Sequence, residues 1–276
     1  MYDLYLFLGF GVFRNGTAVA VVNSNQIDQT SGMCASRSHP GYLYTHNDHG
    51  DGSHIYVLDS KTGHRISTIT IRGAHNADWE DIACGPCPGG ENCIYIVDRQ
   101  YRVFGHRIQE PVSIDHNGHA DIDAQLHFSW NESDCETLLV DPKGEVYLIS
   151  RASGMEVQPK IAHVPLTEWN SQATVVLKDL VNLNIPLTGM DPTGGDISPN
   201  GKEALIITHN AMYHFEIPDG MVVLALSASN PITVPYTQET KGEAVSWDNH
   251  GNGYFTLGEG HDQTLYYYGR NTDIVG

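Results

Sequence analysis

Carboxylates that directly precede short apolar runs are the residues of this 276-residue chain whose type and spacing point most clearly to chemistry. The segments are SGMCASRSHPG, DWEDIACGP, CETLLVDPKG, GGDISPNG and GEAVSWDNHGNG, and the aligned residues are Gly32, Glu80, Glu136, Asp196 and Glu243, of which the last four are carboxylates. A carboxylate beside a buried strand is costly unless something neutralises it. Oxygen ligands suit a hard cation, so we expect a site for Ca²⁺, with Mg²⁺ as the alternative. Water, backbone amides or bound protons are the other means of neutralising them.

A second set of polar side chains follows the next apolar run of each segment. Its members are His46, Asn47, Asp98, Arg151, His209, Asn210 and Glu259. The triplet THN occurs at corresponding places twice, at 45–47 and 208–210. We expect this set to face one mouth of the fold and to bind a ligand. The alternative is ordinary loop polarity and capping of strand ends.

The acidic segments recur roughly every 50 to 60 residues, and each is followed by a Gly/Pro turn and further β-rich runs. Units of four short strands predict an all-β fold, a single β-propeller domain over residues 1–276. Five blades use the whole chain, whereas a sixth would have to come from residues 99–130. The first strand of a blade lines the centre of a propeller, so the aligned carboxylates should point at one axis.

The last unit supplies three strands and lacks a fourth. The apolar run TAVAVVNS, at residues 17–24, precedes the first unit and has no other partner. We expect it to pair with the last unit and to close the ring, because an open edge invites aggregation.

The overall charge restricts the partners. The formal net charge is −18, with only 15 Lys and Arg residues, so nucleic acid and anionic membranes are not expected partners. The apolar N-terminal stretch is too short to span a membrane, and membrane insertion is not expected. The remaining partner classes are a small molecule, a glycan or a protein.

Cysteines and glycosylation triplets favour an extracellular protein. Three of the five cysteines crowd into CGPCPGGENC, where a local disulfide is a simpler explanation than zinc because no second pair follows at finger spacing. The triplets beginning at Asn15 and Asn131 fit N-glycosylation. Together these features predict a secreted, disulfide-bonded glycoprotein.

Long pieces of the chain resemble an uncharacterised family of secreted propellers with a DWEDIA-type motif. The pieces are SGMCASRSHPGYLYTHNDHGDGSHIYVLD, DWEDIACGP, CETLLVDPKGEVYLISR, GGDISPNGKEALI and GEAVSWDNHGNGYFTLGEG, and they lie within residues 30–268. More distantly the chain is similar to lactonase-type and phytase-esterase-type propellers. That resemblance implies a propeller with a divalent cation on its axis, and it does not fix an activity.

Two functions follow as expectations. The first is a secreted ligand-binding or structural module with an axial cation, favoured because the chain has no Gly-x-Ser-x-Gly, phosphate-loop or His-Glu-x-x-His motif. The alternative is a metal-dependent hydrolase of an ester, lactone or phosphate, with His46 or His209 as general base and Arg151 stabilising negative charge. A carboxylate-pair glycosidase is less favoured, because a cation would occupy the same groups.

Overall fold

The chain folds into successive antiparallel meanders of short strands. The computed structural model describes residues 12–99, 104–132, 134–152, 157–169, 171, 173–187 and 191–271. The first strand is β1 (Thr17–Val22), and the first meander follows it with β2 (Thr30–Ala35), β3 (Tyr42–Asn47), β4 (His54–Asp59) and β5 (Arg65–Arg72). The second comprises β6 (Trp79–Pro86), β7 (Asn92–Asp98), β8 (Phe104–Gln109) and β9 (Gly118–Ser129).

Three further meanders complete the fold. The third contains β10 (Cys135–Val140), β11 (Val146–Ser150) and β12 (Lys160–Val164), followed by β13 (Val175–Val176), which pairs with β9, and β14 (Val181–Asn182), which pairs with β12. The fourth contains β15 (Pro192–Ile197), β16 (Glu203–Thr208), β17 (Ala211–Glu216), the short helix α1 (Val222–Ala228) and β18 (Ile232–Val234). The fifth contains β19 (Gly242–Trp247), β20 (Gly253–Gly258) and β21 (Gln263–Gly269).

The inner strands, which are the first strands of the five meanders, pack against one another in a closed circle. β2 neighbours β6, β6 neighbours β10, and the circle of strands continues through β15 and β19 back to β2. Every inner-strand side chain of β2, β6, β10 and β15 except the last of β6 is buried. The starts of these five strands therefore meet at one end of the circle, which brings distant parts of the chain together.

Apolar side chains fill the spaces between successive meanders. Because side chains alternate across a strand, Leu138 packs toward the second meander and its neighbour Leu139 toward the fourth. Within the part of the chain that the structure describes, five such clusters occur, and each contains buried residues of two adjacent meanders. Both faces of every sheet are thus covered, as stacked blades require.

The all-β prediction is confirmed, and so is the pairing that closes the ring. β1 pairs antiparallel with β21, so the N-terminal strand supplies the fourth strand of the last meander. Residues 104–129 supply β8 and β9 of the second meander. The number of blades stays a prediction, because the parallel pairing of β5 with β9 joins two meanders into one nine-stranded sheet.

One disulfide lies within the second meander, and another joins two inner strands. Cys87 pairs with Cys93 across the turn between β6 and β7, and Cys34 on β2 pairs with Cys84 on β6. The expected local disulfide is present, and it joins Cys87 to Cys93. Cys135 is a buried free thiol. In the described residues no helix has the length and apolar character to cross a membrane.

Candidate metal centre

Each of the five inner strands begins with a β-bulge at the same place. The pairing with the second strand skips one residue, which is the second residue of the inner strand. The bulged residues are Ser31, Glu80, Glu136, Thr193 and Glu243. A bulge re-aims a side chain out of the regular alternation of a strand. Three glutamates therefore occupy equivalent positions at one end of the circle.

The predicted equivalence of Asp196 with these glutamates is wrong, because the bulge of β15 falls at Thr193. The Thr193 hydroxyl donates to the Gly242 carbonyl at 2.9 Å. The carboxylate of Asp196 lies further along β15, is buried, and accepts a hydrogen bond from the Trp247 amide at 2.8 Å. Burial raises the pKa of Asp196 to about 6. Asp196 thus links two inner strands at a distance from the bulges.

Glu80 and Glu136 form a compact group with Asp134, the residue that precedes β10. One oxygen from each of these three carboxylates lies within 4.8 Å of the other two. All three residues are buried. The Oε1 atom of Glu136 has no hydrogen-bond partner among the described residues; the Arg151 Nη1 atom is 3.0 Å away but lacks hydrogen-bond geometry. A buried carboxylate oxygen without a donor is what an oxygen-coordinated cation would satisfy.

The charge state of the glutamates reflects this crowding. Burial, followed by repulsion from Glu136, raises the pKa of Glu80 to about 10. Burial is also the main reason that the pKa of Glu136 rises to about 8 and that of Glu243 to about 9. The next largest contribution to the raised pKa of Glu243 is repulsion from the carboxylate of Glu259. Like charges that share a buried site hold protons unless a cation replaces them.

Two further sets of residues, each with one member from every meander, surround the bulged residues. The residues that precede the inner strands are Gln29, Asp78, Asp134, Asp191 and Lys241. The residues that follow the second strands are Asp48, Arg99, Arg151, His209 and Glu259. We call this end of the circle, with its three sets of five residues, the acidic mouth. It contains eight carboxylates against three Arg or Lys side chains.

The chain supplies its own cations to the acidic mouth. Arg99 Nε lies 2.8 Å from Asp134 Oδ1. Arg151 Nε lies 3.1 Å from Asp191 Oδ2, and Lys241 Nζ lies 2.7 Å from Glu259 Oε2. These bridges hold the arginines at the rim, where each is partly exposed. They offset part of the negative charge and leave an excess of carboxylates for a cation.

The predicted ligand-binding set divides into two groups. Arg151, His209 and Glu259 belong to the acidic mouth, as described above. His46 does not reach it, because its ring is fully buried against Trp79, and burial lowers its pKa to about 4. The side chain of Asn47, at the end of β3, is committed to the segment before β2, where it accepts from the amides of Asp28 and Gln29.

The remaining two predicted positions are also used locally. Asn210 Oδ1 accepts from the Thr208 hydroxyl at 3.1 Å within a turn. Asp98 is buried, its pKa is raised mainly by burial, and its Oδ2 lies 3.4 Å from the Ala77 amide that donates to it. Side chains that lie within a second strand, or in the turn after it, form hydrogen bonds with nearby parts of the chain. The residue directly after the strand instead belongs to the acidic mouth.

The sequence contains a signal for the residues that the prediction missed. Asp78 and Asp134 each stand two residues before a bulged glutamate, in the triplets DWE and DCE. In the triplet DCE the outer two residues, Asp134 and Glu136, belong to one group of ligand atoms within 4.8 Å of one another. Asp78 also lies with Asp48 and His49 in a second, more exposed group whose ligand atoms are within 4.8 Å of one another.

The structure is similar to several solved β-propellers at low sequence identity. The PQQ-bound aldose sugar dehydrogenase of Streptomyces coelicolor matches with a TM-score of 0.54 and 10% identity, over 93% of this chain and 98% of that one. The allergen Mala s 1 of Malassezia sympodialis matches with a TM-score of 0.54 and 11% identity, over 93% and 96%. The Cps50 (Swd1) propeller domain of Myceliophteria thermophila matches with a TM-score of 0.50 and 9% identity, over 93% and 100%.

Identities this low establish the fold and nothing about the ligand. No protein-family model matches the chain. No curated protein sequence matches it either. The chain is a β-propeller in fold.

Proposed function

We propose that the acidic mouth holds a divalent cation, Ca²⁺ before Mg²⁺, and that the protein is a secreted, cation-carrying propeller that binds a ligand at this mouth. The observation that supports it best is the group formed by Glu80, Asp134 and Glu136, in which the buried Oε1 atom of Glu136 accepts no hydrogen bond from the described residues. The donor atoms are all oxygens, which fits a hard cation. The proposed site lies between β6 and β10, beside the axis rather than on it.

The cation would hold Glu80, Asp134 and Glu136 in their ionised forms and supply an electrophilic centre for oxygen atoms of a ligand. Arg99 and Arg151 flank the group and keep donors at the rim. A small molecule, a glycan or a protein segment that presents carboxylate or hydroxyl oxygens fits this surface. The resemblance to lactonase-type and phytase-esterase-type propellers, which implies a bound divalent cation, belongs to this proposal.

A calorimetric titration of Ca²⁺ into chelator-treated, dialysed protein tests the site. We expect saturable binding, and a rise in melting temperature because a ligand of the folded state alone stabilises it by about 2.7 kcal/mol at a hundred times Kd. The variant Glu80→Gln/Glu136→Gln should lose both effects. Glu91→Gln, in the exposed turn between β6 and β7, is the matched control. Equal Ca²⁺ binding by the double variant would contradict the proposed site.

One observation favours a second function, the metal-dependent hydrolase. His209 is half-buried at the acidic mouth, and its Nδ1 atom has no hydrogen-bond partner among the described residues. Burial lowers its pKa, so the ring is neutral near pH 7 and able to accept a proton from water. His46 cannot serve in this role because it is sealed in the core.

A screen with p-nitrophenyl acetate, p-nitrophenyl phosphate and γ-butyrolactone, in Ca²⁺ and in Mg²⁺, tests this alternative. Hydrolysis that falls at least about a hundredfold in His209→Gln, with Ca²⁺ binding retained, would support it. The matched control is His163→Gln, a histidine on the outer part of the third meander. Activity that is unaffected by His209→Gln would contradict the assigned base.

A further inference from the structure

A cavity of about 310 Å³ lies at the end of the circle of inner strands opposite the acidic mouth. The turns between the first and second strands of all five meanders line it. The side chains that matter are Arg37, Pro40, Pro86, Pro142, Pro199 and His250. Its volume is at the lower end of the range for small-molecule sites, about 300–1,000 Å³. Four prolines, the Arg37 side chain and one carboxylate, that of Asp141, are among the lining residues.

Arg37 supplies the charge of this cavity, and its outer nitrogens are not committed. Its Nε donates to the Cys84 carbonyl at 3.2 Å. It forms no salt bridge within 4.0 Å with a carboxylate of the described residues, its Nη atoms donate no hydrogen bond to those residues, and Arg37 lines the cavity. An arginine stays protonated at any physiological pH. The cavity therefore presents a permanent positive charge with free donors.

The loop that carries Arg37 is fixed by a buried carboxylate. Glu110, which is 8% exposed, accepts from the Ser36 hydroxyl at 2.7 Å, the Arg37 amide at 2.8 Å and the Ser38 amide at 3.0 Å. The Asn249 side chain also donates to the Ser36 carbonyl. Because these bonds hold the backbone in place without using the guanidinium, a ligand would not have to order the loop.

The two carboxylates near Arg37 have other partners. Asp141 Oδ1 accepts from the amides of Lys143 and Glu145 at 2.8 and 3.0 Å, within its own turn. Asp196, on β15, accepts from the Trp247 amide at 2.8 Å and the Ser246 hydroxyl at 3.4 Å. Arg37 opposes the larger effect of burial on the pKa of Asp196 without forming an ion pair with it.

We propose that this cavity binds an organic anion: a carboxylate or phosphate group seated on the outer nitrogens of Arg37, with an apolar body against the proline rings. A guanidinium presents two parallel N–H donors that match two oxygens of such a group. Proline rings offer flat apolar surface that a benzene-sized body can cover. The inference is independent of the cation at the acidic mouth, which lies at the other ends of the same strands.

The test uses benzoate and phenyl phosphate as anionic probes and benzyl alcohol as the neutral probe. Binding to the full chain is measured by calorimetry and by ligand-observed NMR, after chelation and dialysis, up to about 10 mM. We expect saturable binding of at least one anion and none of benzyl alcohol. The anion that binds more tightly identifies the head group. Absence of saturable binding of both anions would overturn the proposal.

Variants assign the binding to Arg37. Arg37→Gln should weaken the anion about tenfold, whereas Arg65→Gln, the same charge change on an exposed strand, should leave it within about twofold. Pro199→Glu places a negative charge in the wall without touching Arg37 and should weaken binding similarly, which keeps the test decisive if Arg37→Gln does not fold. Unchanged affinity in Pro199→Glu, or equal weakening in Arg65→Gln, would contradict the assignment.

Discussion

The carboxylates of the acidic mouth are held in a state that only a cation or bound protons can stabilise. Glu80, Glu136 and Glu243 are buried at equivalent bulges, and burial raises the pKa of each. An acid whose pKa is higher in the folded than in the unfolded state binds more protons when folded. Stability is then greatest below the unfolded pKa and falls as pH rises toward the folded pKa.

The direction of this pH dependence gives a prediction for Glu136. In chelator, the free energy of unfolding should fall between about pH 4.5, the ordinary glutamate pKa, and about pH 8, the folded pKa of Glu136. Glu136→Gln, which carries no charge, should flatten that fall by at least about 1 kcal/mol. The measurement is urea unfolding across this pH range, with Glu91→Gln as control. If the free energy of unfolding of the variant depends on pH as it does in the wild type, Glu136 is ionised in the folded protein without a bound cation.

At this scale the sequence allowed part of the site to be predicted. An acidic residue before an apolar run identifies Glu80, Glu136 and Glu243, which are the three glutamates at the bulges. The same pattern misplaced Asp196, because a bulge adds a residue that composition does not reveal. It also could not separate His46, sealed against Trp79, from His209, which follows its strand directly.

The close approach of neighbouring inner strands determines which of their positions can carry a side chain. Gly32 follows the bulge of β2, and a Cβ there would lie 2.7 Å from Asp81 Oδ1 and 2.8 Å from the Ile82 amide nitrogen. Alignment by pattern grouped Gly32 with the glutamates, yet Ser31 occupies the bulge and its hydroxyl donates to the Glu80 carbonyl at 2.7 Å. The glycine is therefore explained by packing between two strands.

Gly32→Ala should accordingly be destabilising. Overpacking of this kind costs about 1–3 kcal/mol, since the Asp81 backbone and carboxylate must both move. Gly118→Ala is the control, because its nearest contact for a Cβ is Ile69 at 3.7 Å. Chemical unfolding of both variants is the measurement. Equal stability of the two would mean that β2 and β6 can separate without cost.

The two disulfides constrain the chain to different extents. Cys34 and Cys84 are 50 residues apart, whereas Cys87 and Cys93 are 6 apart. In the chain-entropy description the longer loop contributes about 4 kcal/mol and the shorter about 2 kcal/mol. Cys34→Ser/Cys84→Ser should therefore lower the melting temperature more than Cys87→Ser/Cys93→Ser. The reverse order, measured by calorimetry at one pH, would contradict this assignment.

The whole molecule depends on the last meander receiving its fourth strand from the start of the chain. β1 pairs with β21, and Val22 is buried among Met33, Leu43 and Leu265. The sequence indicated this pairing because one unit lacked a strand and one apolar run lacked a partner. It could not indicate the parallel pairing of β5 with β9, which arises from the length and path of β9.

Removal of residues 1–24 should expose the edge of β21. We expect faster amide exchange in β20 and β21, and association through the open edge, because an unpaired strand presents free backbone donors and acceptors. Exchange in β16, which keeps both neighbours, is the internal reference. Light scattering and exchange measured by mass spectrometry report the two effects. A truncated chain that stays monomeric with wild-type exchange in β21 would show that β1 is dispensable.

Secretion and glycosylation remain proposals at the scale of the whole protein. The two disulfides are typical of oxidising compartments. Asn15 and Asn131 are both exposed, as a glycan requires, while residue 133 of the second triplet lies outside the described residues. The −18 charge is concentrated in part at the acidic mouth, where it favours cations over anions; the cavity at the opposite ends of the strands contains the Arg37 guanidinium.

The most direct test of the account is the position of a bound metal. Crystals of the full chain grown with Mn²⁺, whose anomalous scattering marks the ion in place of Ca²⁺, locate it without reference to activity. We predict a peak about 2.0–2.6 Å from carboxylate oxygens of Glu80, Asp134 and Glu136. A peak confined to Asp48, His49 and Asp78, or no peak at the acidic mouth, would contradict the central claim.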